Sequence, residues 1–245
     1  MELTPAGEAL HAEIVVVLGR LDRAVELARR SVGGQADRLV LGYLEPMAID
    51  LLPRALRAFR QLHPEVDLRL YEFHTTDQIA ALHAGTIDCG LVRAPANTDP
   101  ALAFEHVWVD DLVAVLPDGH RLLGEGVTEI DLADLSDEPF LVFEPNIGPG
   151  LLTATLSGCA AAGFVPSITR HAQSTPMLLT WVAAGEGVAM VSGENARVSR
   201  PGVQFVRLRG APARSEVLLG WRRGEPSRVR NDLRHLLHQA GLNNV

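Results

Sequence analysis

The sequence predicts an α/β protein of two lobes preceded by a long helix, and three features carry that prediction. Short apolar runs of strand character alternate with amphipathic stretches of helical period from Arg38 onward. The alternation breaks once, near Asp110-Asp111, where two strand-like runs follow each other without a helix. Ahead of both lies a heptad seam free of breakers. A chain of 245 residues that is 47% hydrophobic and 21% charged can bury one large core or two modest ones, which excludes a disordered chain.

Thr4-Pro5 reads as an N-cap followed by proline at the first helical position, and the helix then runs to about Ser31, stopped by Gly33-Gly34. Leu10, Ile14, Val17, Leu21, Ala24 and Ala28 recur at spacings of four, three, four, three and four, the a/d stripe of a two-chain seam. Such a helix would be about 40 Å long. It is too narrow in its apolar stripe to be a simple cap on a small domain, so residues 1–33 are expected to dimerise, with packing on the chain's own core as the alternative.

Leu39 to Leu44 is the first strand, and Leu52, Ala55, Leu56 and Phe59 then share one helical face. Val66, Leu68 and Leu70 alternate with polar residues in a second strand. Thr75-Thr76-Asp77-Gln78 has the spacing of a capping box for a helix that turns Ile79 and Leu82 inward and ends at Gly85. Ile87 to Val92 is a buried strand, which completes β-α-β-α-β and predicts a parallel sheet. Phe104 to Val109 and Leu112 to Leu116 follow as two strands, with Asp110-Asp111 as solvated turn residues where the chain crosses into a second lobe. That lobe repeats the theme: strand Phe140 to Phe143, helix Leu151 to Ala162, strand Ser167 to His171, helix Pro176 to Ala184 and strand Gly187 to Val191. Strands Gln204 to Leu208 and Glu216 to Trp221 and a helix from Ser227 to Ala240 close the chain. The expected division is 36–111 and 212–241 in one lobe and 112–211 in the other, with a cleft between them.

Composition narrows the function. A formal charge of −8 argues against binding nucleic acid over a broad face, which needs concentrated basic surface. No apolar run approaches the roughly 18 to 20 residues that cross a bilayer, and the start Met1-Glu2-Leu3-Thr4-Pro5 has neither the basic nor the apolar part of a signal peptide. The expected location is the cytoplasm, with no membrane partner. Cys89 and Cys159 sit apart in apolar settings and read as reduced, buried thiols.

Several segments, in order, resemble the LysR-type transcriptional regulators: Leu3-Thr4-Pro5-Ala6-Gly7; Leu51-Leu52-Pro53 with Phe59 and His63-Pro64-Glu65-Val66; Leu82 to Val92; Leu116 to Leu122; and Val182 to Val188. The resemblance implies the two-lobed periplasmic-binding-protein-like (type 2) fold preceded by a long linker helix. It implies an effector-binding region lacking the N-terminal winged helix-turn-helix, with DNA contacted only through that absent domain. A homodimer or tetramer is implied too. Thr75 and Arg93 stand where the subgroup sensing muconate and related compounds often has Thr and Arg, so the implied effector is a small acidic metabolite. Leu44-Glu45-Pro46-Met47 departs from the family, since many relatives have small hydroxyl residues there. Glu45 would repel a carboxylate unless it pairs with Arg93.

Independently of any family, ligands of open α/β lobes sit beyond the carboxyl ends of the strands, against helix N-termini. That rule selects Glu45, Pro46 and Met47, then Thr75 and Thr76, then Arg93. From the second lobe it selects Asn146, Ile147 and Gly148, then Ser174 and Thr175, then Ser192. Arg93 is the only fixed positive charge of the set and suits a carboxylate; its competing role is an ion pair with Glu45 or Asp99. Thr75 and Thr76 are equally readable as helix caps. Gly148-Pro149-Gly150 lacks the Lys of a phosphate loop, and His235 and His238 lack a third metal ligand, so no cofactor or metal is expected. No nucleophile elbow, zinc-helix His pair or Cys-His signature is present, so the chain is read as a sensor and not an enzyme. A dimerisation partner without an effector and a cytoplasmic solute-binding protein of the same fold are the alternatives.

Overall fold

The computed structural model describes residues 38–94, 100–210 and 213–242, together with Thr4, Gly7, Leu10, Ile14 and Val17. The chain begins its sheet with β1 (Arg38–Tyr43), followed by α1 (Leu51–Leu62), β2 (Asp67–Glu72), α2 (Thr75–Ala84) and β3 (Cys89–Arg93). Then come β4 (Leu102–Pro117), β5 (Glu129–Ile130), β6 (Pro139–Phe143), α3 (Pro149–Ala161), β7 (Ser167–Ala172), α4 (Thr175–Ala183) and β8 (Val188–Ser192). The last elements are β9 (Val203–Leu208), β10 (Arg214–Arg222) and α5 (Arg228–Leu242).

β1 pairs in parallel with β2 and β3, as a β-α-β-α-β order requires. β10 returns antiparallel between β3 and β4 and completes this sheet in the order β2-β1-β3-β10-β4. A second sheet uses β4 again: β8 and β9 flank it antiparallel, β6 lies parallel to both β8 and β7, and β5 adds to β9.

Here one expectation fails. Phe104 to Val109 and Leu112 to Leu116 are not two strands with a solvated turn; β4 runs unbroken from Leu102 to Pro117 and Asp110 is buried. The backbone stays extended because each acid is neutralised where it lies. Asp110 meets Arg93 inside the protein, and Asp111 points outward to Arg214 at 2.7 Å. Residues up to Asp111 pair with β10, and residues from Leu112 pair with β8.

Each sheet has its own core. On α1, Leu51, Leu52, Ala55 and Phe59 are buried against Leu41, Leu91, Leu233 and Leu237, so α1 and α5 cover one face together. Arg54 ties the pair by donating to the Ala240 carbonyl at 2.6 Å. Phe59 is fully buried, worth roughly 3 kcal/mol over its exposed state. In the second core Phe140, Leu116, Leu135 and Leu178 are fully buried together.

The capping box at α2 does not form. His74 is the N-cap, without a side-chain bond, and Thr75 is already inside the helix. Gln78, expected to reach back to the helix start, turns into the core instead, where its amide donates to the Phe73 carbonyl at 3.1 Å and the Leu91 carbonyl at 2.8 Å. Two carbonyl acceptors, one of them buried, outweigh one exposed capping bond. Glycine makes the room: a Cβ at Gly42 or Gly90 would come within 2.9 or 2.6 Å of Gln78 Oε1.

At the N-terminal end Thr4 Oγ1 accepts from the Gly7 amide at 3.2 Å, as a cap does, and Leu10, Ile14 and Val17 are helical and exposed. The remaining seam positions, Leu21, Ala24 and Ala28, lie outside the described residues. Among the described residues no helix is long and apolar enough to cross a membrane, and no group of three or more potential metal ligands gathers.

Candidate functional site

Where the carboxyl ends of β1, β2 and β3 face the N-termini of α3 and α4, the chain encloses a cavity of about 280 Å³. Arg93, the last residue of β3, is its deepest charge at 3% exposure. Its Nη2 donates to Asp110 Oδ2 at 2.6 Å, while the other oxygen of Asp110 accepts from the Gly193 amide at 3.1 Å. Arg93 Nη1 is buried without a hydrogen-bond partner. Glu45, after the neighbouring strand β1, also lines the cavity, and its Oε2 is buried and unpartnered too. The structure pairs Arg93 with a residue the sequence reading did not name. Glu45 does not reach it, Asp99 lies outside the described residues, and Asp110 takes the charge.

Of the sequence-selected residues, Glu45, Pro46, Thr75, Arg93, Ile147, Gly148, Ser174 and Thr175 line this cavity. Thr75 Oγ1 accepts from the Arg93 amide at 3.3 Å and so fixes the end of β3. Ser174 caps α4 by accepting from the Met177 amide at 3.3 Å. Thr76 and Asn146 do not line the cavity; Thr76 Oγ1 donates to the Asn146 carbonyl at 3.0 Å and joins the two sides of the cleft. Met47 is buried in the first core, and Ser192 is buried where its Oγ accepts from the Glu194 amide at 3.4 Å. The side chains of both follow inward-facing positions of their elements, which places them away from the cavity.

Glu72, Phe73, His74, Asp77, Phe143 and Leu151 also line it and were not singled out in the sequence. Glu72 to His74 end β2 and precede α2, so the strand-end rule applied from the last strand residue, and not from the first helical one, would have found them. Near Glu72 the Tyr43 phenol is held above its ordinary range, first by burial and then by the Glu72 carboxylate. It therefore remains a neutral donor. A wider groove of about 1100 Å³ runs along β4 beside α5, lined by Trp108, Asp111, Arg197, Arg214 and His238 among others. The smaller cavity has the features of a ligand site: apolar walls, convergent helix N-termini and buried polar atoms without partners.

Residues 33–241 match the LysR substrate binding domain. The chain belongs to the LysR family. It is 30% identical over 230 residues to the transcriptional regulator BudR of Raoultella terrigena, covering 94% of this chain and 79% of BudR. The transcriptional regulator YnfL of Escherichia coli is 32% identical over 222 residues, covering 89% of this chain and 73% of YnfL. Among solved structures, the BenM effector binding domain with its effector benzoate superposes with a TM-score of 0.71 at 26% identity, over 84% of this chain and 93% of that one. This LysR-family chain thus has the periplasmic-binding-protein-like type 2 fold, and its relatives are transcriptional regulators.

Both LysR-chain cysteines are free and buried. Burial pushes the Cys159 thiol up to about 11 and the Cys89 thiol higher still, so neither is a nucleophile near neutrality.

Proposed function

We propose that this chain is the effector-binding and oligomerisation region of a cytoplasmic LysR-type regulator, and that a small acidic metabolite binds in the cavity between its lobes. The lobes are 36–111 with 212–241, and 112–211. Arg93 lines the cavity and its Nη1 is buried without a partner, the observation that carries the reading, because a buried guanidinium proton without an acceptor costs free energy that a ligand carboxylate removes. Thr75, with Ser174 and Thr175 at the N-terminus of α4, supplies further polar contacts. The benzoate effector of BenM, itself a small carboxylate, supports the same class of ligand.

A ligand that touches both sides favours one angle between them by its differential affinity. Helix 1–33 dimerises through Leu10, Ile14, Val17, Leu21, Ala24 and Ala28 and passes that angle to an N-terminal DNA-binding domain. The test is thermal unfolding of the wild type and Arg93→Gln against diacids, aromatic acids, amino acids and neutral controls. A carboxylate should raise the wild-type midpoint and leave the variant unmoved. If no carboxylate shifts the wild type, the proposal falls.

A further inference from the structure

We propose that the effector is a zwitterion of amino-acid type, with its carboxylate on Arg93 and its ammonium on Glu45; this rests on the effector-site reading above. Two residues that line the cavity each hold a buried polar atom without a partner, and the atoms are opposite in kind: Arg93 Nη1 is a donor and Glu45 Oε2 is an acceptor. They do not pair with each other. A molecule that carries an anion at one end and a proton-donating cation at the other satisfies both, whereas a simple carboxylate satisfies the first and leaves the second worse placed.

The charge balance of the wall points the same way. Glu45, Glu72 and Asp77 line the cavity, and among the described residues the one guanidinium that lines it with them, Arg93, is already matched by Asp110 at 2.6 Å. A monoanion entering that space adds a negative charge to a wall that already carries an excess of them, and like charges in a partly desolvated site repel strongly. A zwitterion adds none. Glu45 is the carboxylate that receives the ammonium because its neighbours are otherwise placed: Glu72 interacts with the Tyr43 phenol, and Asp77 is exposed.

Size and wall chemistry complete the class. About 280 Å³ lies at the small end of ligand cavities, which suits a molecule of amino-acid size. Leu44, Phe73, Phe143, Ile147 and Leu151 form an apolar wall on which an aliphatic or aromatic side chain buries its surface.

The experiment is thermal unfolding of the full chain with apolar amino acids, their N-acetyl derivatives (ammonium removed), their methyl esters (carboxylate removed), benzoate and cis,cis-muconate. At roughly a hundredfold excess over Kd, a free amino acid should raise the wild-type midpoint by about 5–10 °C. The N-acetyl and ester forms should bind on the order of a hundredfold more weakly, as expected when one partner of a buried charged contact is removed. Glu45→Gln, which keeps the shape, should abolish the amino-acid response and let the N-acetyl compound bind. If that variant is poorly folded, the comparison of derivatives on the wild type decides alone. Equal stabilisation of the wild type by N-acetyl amino acids, benzoate or muconate overturns the zwitterion and leaves the carboxylate sensor standing. No response to any carboxylate overturns both.

Discussion

Replacing Asp110 by alanine should be among the most damaging single changes in this chain outside its apolar cores. Asp110 is 1% exposed and Arg93 3%, and their contact at 2.6 Å is joined by the Gly193 amide on the other carboxylate oxygen. In Asp110→Ala the guanidinium stays buried with Nη1 already unpartnered and Nη2 newly so. Breaking a buried pair from one side costs about 3–5 kcal/mol, and an orphaned amide adds about 1–3 kcal/mol. Allowing for non-additivity, the loss is about 4–6 kcal/mol, or roughly 10–20 °C in Tm for a domain of this size. The double variant Arg93→Met with Asp110→Leu fills the same space with apolar atoms and should recover to within about 2 kcal/mol of wild type. Urea unfolding, read as a change in midpoint at constant m, measures both. An Asp110→Ala loss below about 1 kcal/mol, or a double variant as unstable as the sum of its singles, would refute the reasoning.

Further outcomes are expected elsewhere. Gly150→Ala places a Cβ 2.6 Å from both the Arg93 Cβ and the Ala94 carbonyl, so it should force the cleft apart, abolish effector binding and raise the radius of gyration in small-angle scattering. Burial raises both thiols above their unfolded value of 9.0, so the native state holds protons that the unfolded state has lost. Stability should therefore be full below pH 9 and fall above it, until about pH 11 for Cys159 and beyond that for Cys89, by up to about 1.4 kcal/mol per pH unit per thiol; Cys159→Ala should flatten the slope between pH 9 and 11 in urea titrations at stepped pH. Leu10→Glu with Val17→Glu places charges on an exposed helical stripe and should reduce the mass seen by light scattering to that of one chain; an unchanged mass would place the interface elsewhere.

Much of the architecture was legible because each element bears its own period. The alternation of Val66, Leu68 and Leu70 and the one-sided face through Ala55 and Phe59 need no tertiary information. What escaped the sequence depends on partners far along the chain. Asp110-Asp111 has the local chemistry of a turn, and only Arg93 and Arg214, brought in by β3 and β10, make it strand. Thr75 to Gln78 has the spacing of a capping box, and only the carbonyls of Phe73 and Leu91 explain why Gln78 turns inward. For the cavity, the strand-end rule reached Arg93, Thr75 and Ser174 because topology alone fixes where strands end. It missed Glu72 and Phe73, since the end of an exposed edge strand looks like solvated surface, and it included Met47 and Ser192, whose direction depends on local backbone.

β4 is 16 residues long, about 50 Å of extended chain, and it exchanges its neighbours between Asp111 and Leu112 without a loop. In mechanical terms the two halves share a beam. A tilt of one against the other would have to be stored as twist in a hydrogen-bonded strand, since no loop at that point can absorb it. The Arg93–Asp110–Gly193 contacts sit on the beam one residue before that exchange of neighbours, where they brace it against twist.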